Sequence, residues 1–445
     1  MEAKHSPAAF AKGPGHGLTR AAAVGAVIAW AAFALSLAAC LDPRGDAFGM
    51  GTNPILKYLP TMLMALSILF LARGRAIRPG LLTRPLVAAL LLFVLEAGGS
   101  IYWIVVEHGD LNSSYLGRAL NLLAVFPGAI IGFHPVLRNW MARHLVLVSA
   151  IAGAIGFGIV TLHSVHLVLN QWAQVLHVES VILIAGLAYF ARRTSSHVLT
   201  AGMVLLCIFN GYLAGKSTFY LLAIVFLAIG LGPELVHFFR RVTGRETARQ
   251  RTAMLTLLAP IAMSVLALAA VVVFLIIDER SQRYTYDPRR VVYEFRWHQF
   301  LDSPIYGRFF ATSANAADVM KFGVNVPSHN DILDALAASG VIGTMLILIV
   351  MVPAVINRAA FRSFALRGKQ FTPVHYFWCV LPFYAVAASG NPFFVEPNLI
   401  VPVWFSVGVM LSYSAGQARA AAASPKVQRR LKRREWRLSQ LSRRT

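Results

Sequence analysis

Seven basic side chains crowd one stretch of an otherwise apolar chain: Arg280, Arg283, Arg289, Arg290, Arg296, Arg308 and Lys321, all within residues 278–335. Fixed positive charges gathered in this way suit an anionic partner, which they hold through charge-assisted hydrogen bonds. The competing reading is pairing with the acids of the same stretch, among them Asp278, Glu279, Asp287, Glu294, Asp302 and Asp318, or contact with lipid headgroups. Two local patterns sharpen the picture. The first runs Arg289-Arg290-Val-Val-Tyr-Glu-Phe-Arg296-Trp297-His298 and on through Asp302-Ser-Pro304-Ile-Tyr-Gly307. It reads as an amphipathic helix ending near Asp302, then a Pro/Gly turn. Arg289 and Arg296 are seven apart and share a helical face, with Val292 and Tyr293 between them. The second is Pro327-Ser328-His329-Asn330-Asp331-Ile-Leu-Asp334, followed by Gly340-Val-Ile-Gly343. Ser328 or Asn330 is placed to cap a helix there, with His329 at its N-terminal end.

The elements that must position these residues are membrane helices. The chain has 445 residues, is 57% hydrophobic and only 13% charged, and its mean hydropathy is +0.62. Soluble domains carry about 25% charged residues. Apolar runs here reach about 20 residues, the length a helix needs to cross a bilayer core of roughly 30 Å. Within hydrocarbon such runs must be helical, because each backbone polar group has to be satisfied inside the segment. The expected spans are 21–40, 58–72, 85–106, 119–136, 145–163, 172–191, 198–214, 218–236, 253–277, 341–356, 374–388 and 399–413. This is an all-α polytopic membrane protein of about 12 transmembrane helices. Its single integral membrane domain covers 1–415, and a basic tail covers 416–445. One large outer loop, 278–335, contains short helices and separates the ninth and tenth spans.

Charge placement tests that count. With the N-terminus in the cytoplasm, about 30 of the 41 Lys and Arg fall on the inner side, in short basic loops and the tail, as the positive-inside rule requires. A wrong number of helices would swap the sides partway along. Both termini are therefore expected in the cytoplasm. The net charge of +22 lies mostly in these loops and in the tail, so it points to topology and anionic lipid, not to nucleic acid. The loop at 278–335 breaks the trend, and that is what marks it.

Other signals are weaker. Cys40, Cys207 and Cys379 imply no disulfide framework. Leu37-Ala-Ala-Cys40 has the look of a lipobox, but a helix end rich in small residues explains it. Gly211-Tyr-Leu-Ala-Gly215-Lys216-Ser217 is one residue short of a P-loop spacing and is set aside. Glu96 and Glu179 lie within spans, where carboxylates are functional-site hypotheses by default. Glu396, in the last outer loop, can approach the same site. Gly128 with Gly132, and Gly340 with Gly343, read as helix-packing positions.

Arg-Trp-His at 296–298, Ser-Pro-Ile-Tyr-Gly at 303–307, Ser-His-Asn-Asp-Ile-Leu-Asp at 328–334 and Gly-Val-Ile-Gly at 340–343 together resemble the O-antigen ligase and O-antigen polymerase superfamily. The motif match covers 289–343, and the helix layout extends it over most of the chain. The family often has a Ser-Arg pair at the outer end of a middle helix. Here Gly215-Lys216-Ser217 stands in that place, and lysine keeps the charge but loses the bidentate fork. A second departure is Gly307-Arg308-Phe309, where a further glycine is common.

The resemblance implies a metal-independent glycosyltransferase without cofactors, acting at the outer leaflet of a bacterial inner membrane. Its donor would be a saccharide on undecaprenyl pyrophosphate. Its acceptor would be a sugar hydroxyl, on the lipopolysaccharide core for a ligase or on a lipid-linked glycan for a polymerase. In that setting His329 is the expected base or acceptor-orienting residue, since neutral histidine suits proton transfer near neutral pH. Arg296 would stabilise charge on the leaving oxygen, with Arg289, Arg290 and Lys216 as pyrophosphate ligands and His298 and Asn330 as further contacts. Each has a plainer reading: His329 as a residue of the capping region, Lys216 as an interfacial anchor, His298 as a packed neighbour of Trp297, Asn330 as a cap. The alternative class is a polysaccharide or lipid-linked sugar transporter, which would be expected to show repeated halves and helices broken at mid-membrane. No convincing internal repeat is present.

Overall fold

A computed structural model describes residues 19–41, 54–74, 83–108, 113–164, 181–214, 217–243, 288–308, 310, 330–356, 366, 368–388 and 397–422. Among them there is no strand. The helices are α1 (Arg20–Ala39), α2 (Pro54–Arg73), α3 (Arg84–Trp103), α4 (Ser113–Leu122), α5 (Val125–Phe133), α6 (Pro135–Ser164) and α7 (Val181–Thr194). They continue as α8 (His197–Ala214), α9 (Ser217–Thr243), α10 (Pro288–Asp302), α11 (Asp331–Val355), α12 (His375–Ala388) and α13 (Pro397–Ala422). Four of the described helical stretches are long and apolar enough to cross a membrane: Arg20–Ala39, Arg84–Val106, Pro135–Ile159 and Asp331–Val355. Shorter apolar helices accompany them. The expected span at 253–277 lies outside the described residues, as do residues 172–180 of that at 172–191.

Large apolar side chains point away from the protein as well as into it. Val198 is 84% exposed, Leu69 67% and Leu205 66%, and α3 turns Val87, Leu90, Leu91, Val94 and Ile101 outward. A water-soluble surface does not carry apolar stripes of this extent, whereas a hydrocarbon solvent favours them. Inside, α5 lies against α13, α1 against α2, and α12 against both α7 and α13. Phe33, Tyr376, Phe377 and Phe405 meet at ring separations of 5.5 to 6.3 Å in the shared core.

The fourth expected span is two helices, not one. Pro127 has no N–H to give and its ring crowds the carbonyl of the residue four back, which is Leu123. The chain answers with tighter bonds at that point: Leu123 N–H to the Leu120 carbonyl at 3.1 Å, Ala124 to Asn121 at 3.2 Å and Phe126 to Leu123 at 3.1 Å. The helix restarts as α5, a length with no apparent solvent face, and lies on α13 through glycine. A Cβ on Gly128 would strike the Phe405 carbonyl, and one on Gly408 would strike the Val125 carbonyl. A Cβ on Gly132 would sit 2.7 Å from the Val409 carbonyl oxygen. Backbones in contact at this range gain dispersion that a bulkier residue forfeits.

At one end of the bundle, arginines are tied to backbone carbonyls of other segments. Buried Arg192 donates from Nε to Leu366 at 2.7 Å and from Nη1 to the Ile229 carbonyl, with its guanidinium over the Phe371 ring. Arg193 reaches the Gly368 carbonyl at 2.8 Å, and Arg138 lies over the Tyr413 ring. Residues that charge sorting assigns to one side are thus found together. Arg192 in particular is a folding element as well as a topology signal.

Gly128→Ala and Gly408→Ala are each expected to lower the apparent Tm in detergent by forcing α5 and α13 apart. Gly98→Ala and Gly202→Ala, where an added Cβ meets nothing within 4 Å, are expected to leave it unchanged or slightly raised.

Candidate functional site

α10 and α11 meet at the opposite end of the bundle. α10 ends at Asp302 as its sequence indicates, and α11 begins at Asp331, ten residues before the apolar run that marked the span. Asn330 is its cap: Oδ1 accepts from the Ile332 N–H at 3.0 Å and from the Leu333 N–H at 3.1 Å. Both amides would otherwise be orphans of the first turn. The Asn330 oxygen is therefore committed to the backbone, which favours its plainer reading.

Arg296 is buried, and its Nε stands 3.2 Å from Asp334 Oδ1 on α11. Its Nη1 donates to Gln299 Oε1 at 2.8 Å. Val292, one turn earlier, is buried on the same face. The inward face of α10 is thus fixed by one apolar contact and one ion pair. His298 is exposed, on a different face from Arg296, beside Trp297. The side chains of Arg289 and Arg290 and the whole of Lys216 and His329 lie outside the described residues, as do Glu179 and Glu396.

Gly340 does more than pack helices. Its φ of 57° and ψ of −159° break α11 in its second quarter, in a region that only glycine occupies without strain. An unbroken helix would join the Val341 N–H to the Ala337 carbonyl. Here the two are separated and each takes a partner from the turn that follows α10. Val341 donates to the Pro304 carbonyl at 2.8 Å, while the Ala337 carbonyl accepts from Arg308 N–H at 3.2 Å. The next amide, Ile342, donates to the Ile305 carbonyl at 3.1 Å. Two glycines make the approach possible: a Cβ on Gly307, whose φ is 58°, would stand 2.6 Å from the Ala338 carbonyl carbon, and one on Gly340 would stand 2.5 Å from that of Ile305. The Pro304-to-Gly307 turn and Gly340 are halves of one joint.

Further polar contacts converge on the same part of α11. Asp331, 2% exposed, accepts from the Tyr384 hydroxyl at 3.3 Å, which ties α12 to the first turn. Ser339 lies 3.5 Å from Arg118 Nη2, and the same nitrogen stands 2.7 Å from Glu96 Oε1. The Glu96 and Arg118 side chains are only 2% and 4% exposed. Next to Arg118, Asn121 accepts from the Thr61 hydroxyl at 2.8 Å. Sequence reasoning singled out Glu96 without a partner and passed over Arg118, Asp334 and Tyr384 as residues of the site. The available signal was a lone arginine at the edge of one expected span and a lone glutamate within the span before it.

No family model matches this chain, and no curated protein does. What the site can do must be argued from its own chemistry. It offers a buried guanidinium on α10, a second on α4, and three acids distributed between α3 and α11, all near the end of a spanning helix. Among the described residues no three His, Cys, Asp or Glu side chains gather as metal ligands.

Two outcomes follow. Arg118→Ala leaves Glu96 buried without its cation and is expected to cost about 3–5 kcal/mol of stability, whereas Glu96→Leu with Arg118→Met should recover most of it. Gly340→Ala is expected to cost about 1–3 kcal/mol from backbone strain alone, with added loss from collision with Ile305. Thermal or denaturant unfolding of purified protein measures both.

Proposed function

We propose that this protein is a membrane glycosyltransferase of the O-antigen ligase or polysaccharide polymerase type, moving a saccharide from undecaprenyl pyrophosphate to a sugar hydroxyl. The observation that carries the reading is the joint between α10 and α11. Arg296, the Pro304–Gly307 turn, Asn330 and the Gly340–Gly343 stretch carry the family resemblance, and they pack into one unit at one end of the bundle. The charge sorting of the sequence supports a twelve-helix topology with both termini in the cytoplasm of a bacterial inner membrane. In that topology the joint lies where 278–335 meets the tenth span, at the periplasmic leaflet, where the lipid-linked donor is presented.

In the reaction, the acceptor oxygen attacks the anomeric carbon as the bond from that carbon to the pyrophosphate oxygen breaks. The acceptor proton passes to a base, for which His329 is our assignment. The bonding pair leaves with undecaprenyl pyrophosphate, and one in-line displacement inverts the anomeric centre. Negative charge grows on the departing oxygen. Fixed cations stabilise it best in a low-dielectric setting because they need no reorganisation as the charge develops. Arg296 is held by Asp334 and Gln299 in a defined orientation, which is what such a role demands. Arg289, Arg290 and Lys216 are assigned to the pyrophosphate, and His298 to the donor or acceptor from its exposed position. The leaving group is already activated, so the scheme uses no nucleotide, metal or other cofactor.

A second reading has one observation in its favour. A transporter of lipid-linked sugar would use a broken spanning helix and buried charges, and α11 with its break at Gly340 and the Glu96–Arg118 pair offers both. The break is filled by the turn at Pro304, however, and does not expose half-helix ends to a cargo.

His329→Ala is expected to lower transfer by roughly 10²- to 10⁴-fold, and Arg296→Ala to abolish it, with membrane insertion intact. Turnover of an undecaprenyl-pyrophosphate saccharide by purified protein is the measurement, with EDTA expected to change little. Wild-type turnover by the His329 variant removes the base assignment. Vesicle transport without turnover by the unmodified protein favours the second reading.

A further inference from the structure

The contacts between α10 and α11 have a direction. Arg296 meets Asp334, and then Pro304 and Ile305 meet Val341 and Ile342. Advancing along α10 therefore means advancing along α11, so the two run side by side in the same sense. The chain then reverses: Gly307 lies against Ala338 and Arg308 N–H bonds the Ala337 carbonyl. The strand of contacts goes down α11 to Ile342 and returns by about one turn.

Depth follows from the length of α11. Its 25 residues include an 18-residue stretch of mean hydropathy 2.5, and at 1.5 Å per residue the helix measures roughly 37 Å, against about 30 Å of hydrocarbon. The surplus is about one turn, and the acids Asp331 and Asp334 mark the end where it belongs. Ile342 is roughly 16 Å from that end, inside the hydrocarbon boundary. Irregular backbone survives at such depth only where its polar groups are satisfied by protein. The exchange of partners around Gly340 supplies that satisfaction.

The side chains of α10 sort into three faces. Val292 and Arg296 are buried against protein. Trp297 and Leu301, four residues apart, are 47% and 52% exposed, and Ile305 continues the series at 59%. Glu294, His298 and Asp302, also four apart, are exposed on the adjoining flank. The apolar flank does not end with α10. Ile305 is hydrogen-bonded at its carbonyl to Ile342, and Ile342, Met345, Ile349 and Val352 form an exposed stripe down one face of α11. That stripe lies on a helix suited to span a bilayer, and the flank is its continuation.

We propose that residues 297–308 form a re-entrant membrane element: Trp297, Leu301 and Ile305 face lipid, while His298 and Asp302, with Glu294 just before them, line a water-filled cleft cut into the same leaflet. Ionisable groups at membrane depth face protein or water, not acyl chains. Tryptophan at the level of the headgroups matches the aromatic belt of spanning proteins. The inference rests on the chain crossing a membrane and is independent of the transfer chemistry. If transfer does occur, the element brings a polar cleft to the depth of a lipid-borne phosphate.

The test is spin labelling in lipid nanodiscs, on a background with Cys40, Cys207 and Cys379 replaced by alanine. Labels go at Leu301→Cys and Ile305→Cys, at Glu294→Cys and Asp302→Cys, and at Met345→Cys as the lipid-facing reference. Labels at 301 and 305 are expected to match 345, relaxed by oxygen and insensitive to an aqueous nickel chelate. Labels at 294 and 302 are expected to respond to nickel. Nickel access at 301 and 305 equal to that at 294 overturns the lipid flank, and exclusion of nickel from 302 overturns the cleft. Hydroxyl-radical footprinting of the unsubstituted protein in the same nanodiscs checks the result without mutation: His298 should oxidise and Trp297, the intrinsically more reactive ring, should not. Oxidation of Trp297 to the extent its reactivity allows in water counts against the proposal.

Discussion

A spanning helix cannot be broken for nothing. In hydrocarbon an unmade backbone hydrogen bond costs several kcal/mol, and Gly340 parts the Val341 N–H from the Ala337 carbonyl. The arrangement at this end of the protein can be understood as the means by which those groups are matched again. A proline, which has no N–H of its own to satisfy, presents its carbonyl to Val341. A glycine with positive φ turns the chain so that the next amide returns to Ala337. No side chain takes part in the exchange, and for that reason the residues that make it possible are the ones lacking a Cβ or an amide hydrogen.

Around this joint the charges are arranged by pairing. Arg296 enters from α10, Tyr384 from α12, and Arg118, held by Glu96, from α4, and all of them end on the first half of α11. Buried ions are tolerated when their partners are close and fixed. The result is a helix whose outer part is clamped from three directions while its inner part, from Ile342 to Val352, turns an apolar face outward. Rigidity is concentrated where chemistry would need it.

Much of this was legible beforehand, and the failures have physical causes. The bounds of α1, α8 and α12 agree with the apolar runs to within a residue or so, because in those helices the apolar run and the helix coincide. α6 and α11 begin ten residues earlier than their runs. The first three turns of α6 hold Arg138, Arg143 and His144, the first turn of α11 holds Asp331 and Asp334, and hydropathy does not register a helix there. The end of α10 followed from residue type, and Asn330, one of the two residues suited to cap α11, is the one that does so. The break before α5 did not, although Pro127 announces it once the clash four residues back is considered. Gly340 was read as a packing position, since a sequence cannot display the sign of φ. Arg118 looked like an ordinary residue at a span's edge because its partner lies in another helix.

The same joint has a bearing on how the protein is assembled. α10 precedes α11 in the chain, yet α11 is incomplete without the turn that follows α10. A helix entering the bilayer with Gly340 already broken would carry an unpaired amide and an unpaired carbonyl into lipid. Before docking, the cheaper state for α11 is therefore an uninterrupted helix, with Val341 bonded to Ala337 in the ordinary way. On that argument the break belongs to the docked state, in which the turn supplies a carbonyl for Val341 and an amide for Ala337. In those terms Gly340 is a position where one helix has given up a hydrogen bond of its own and takes its partners from another segment of the chain.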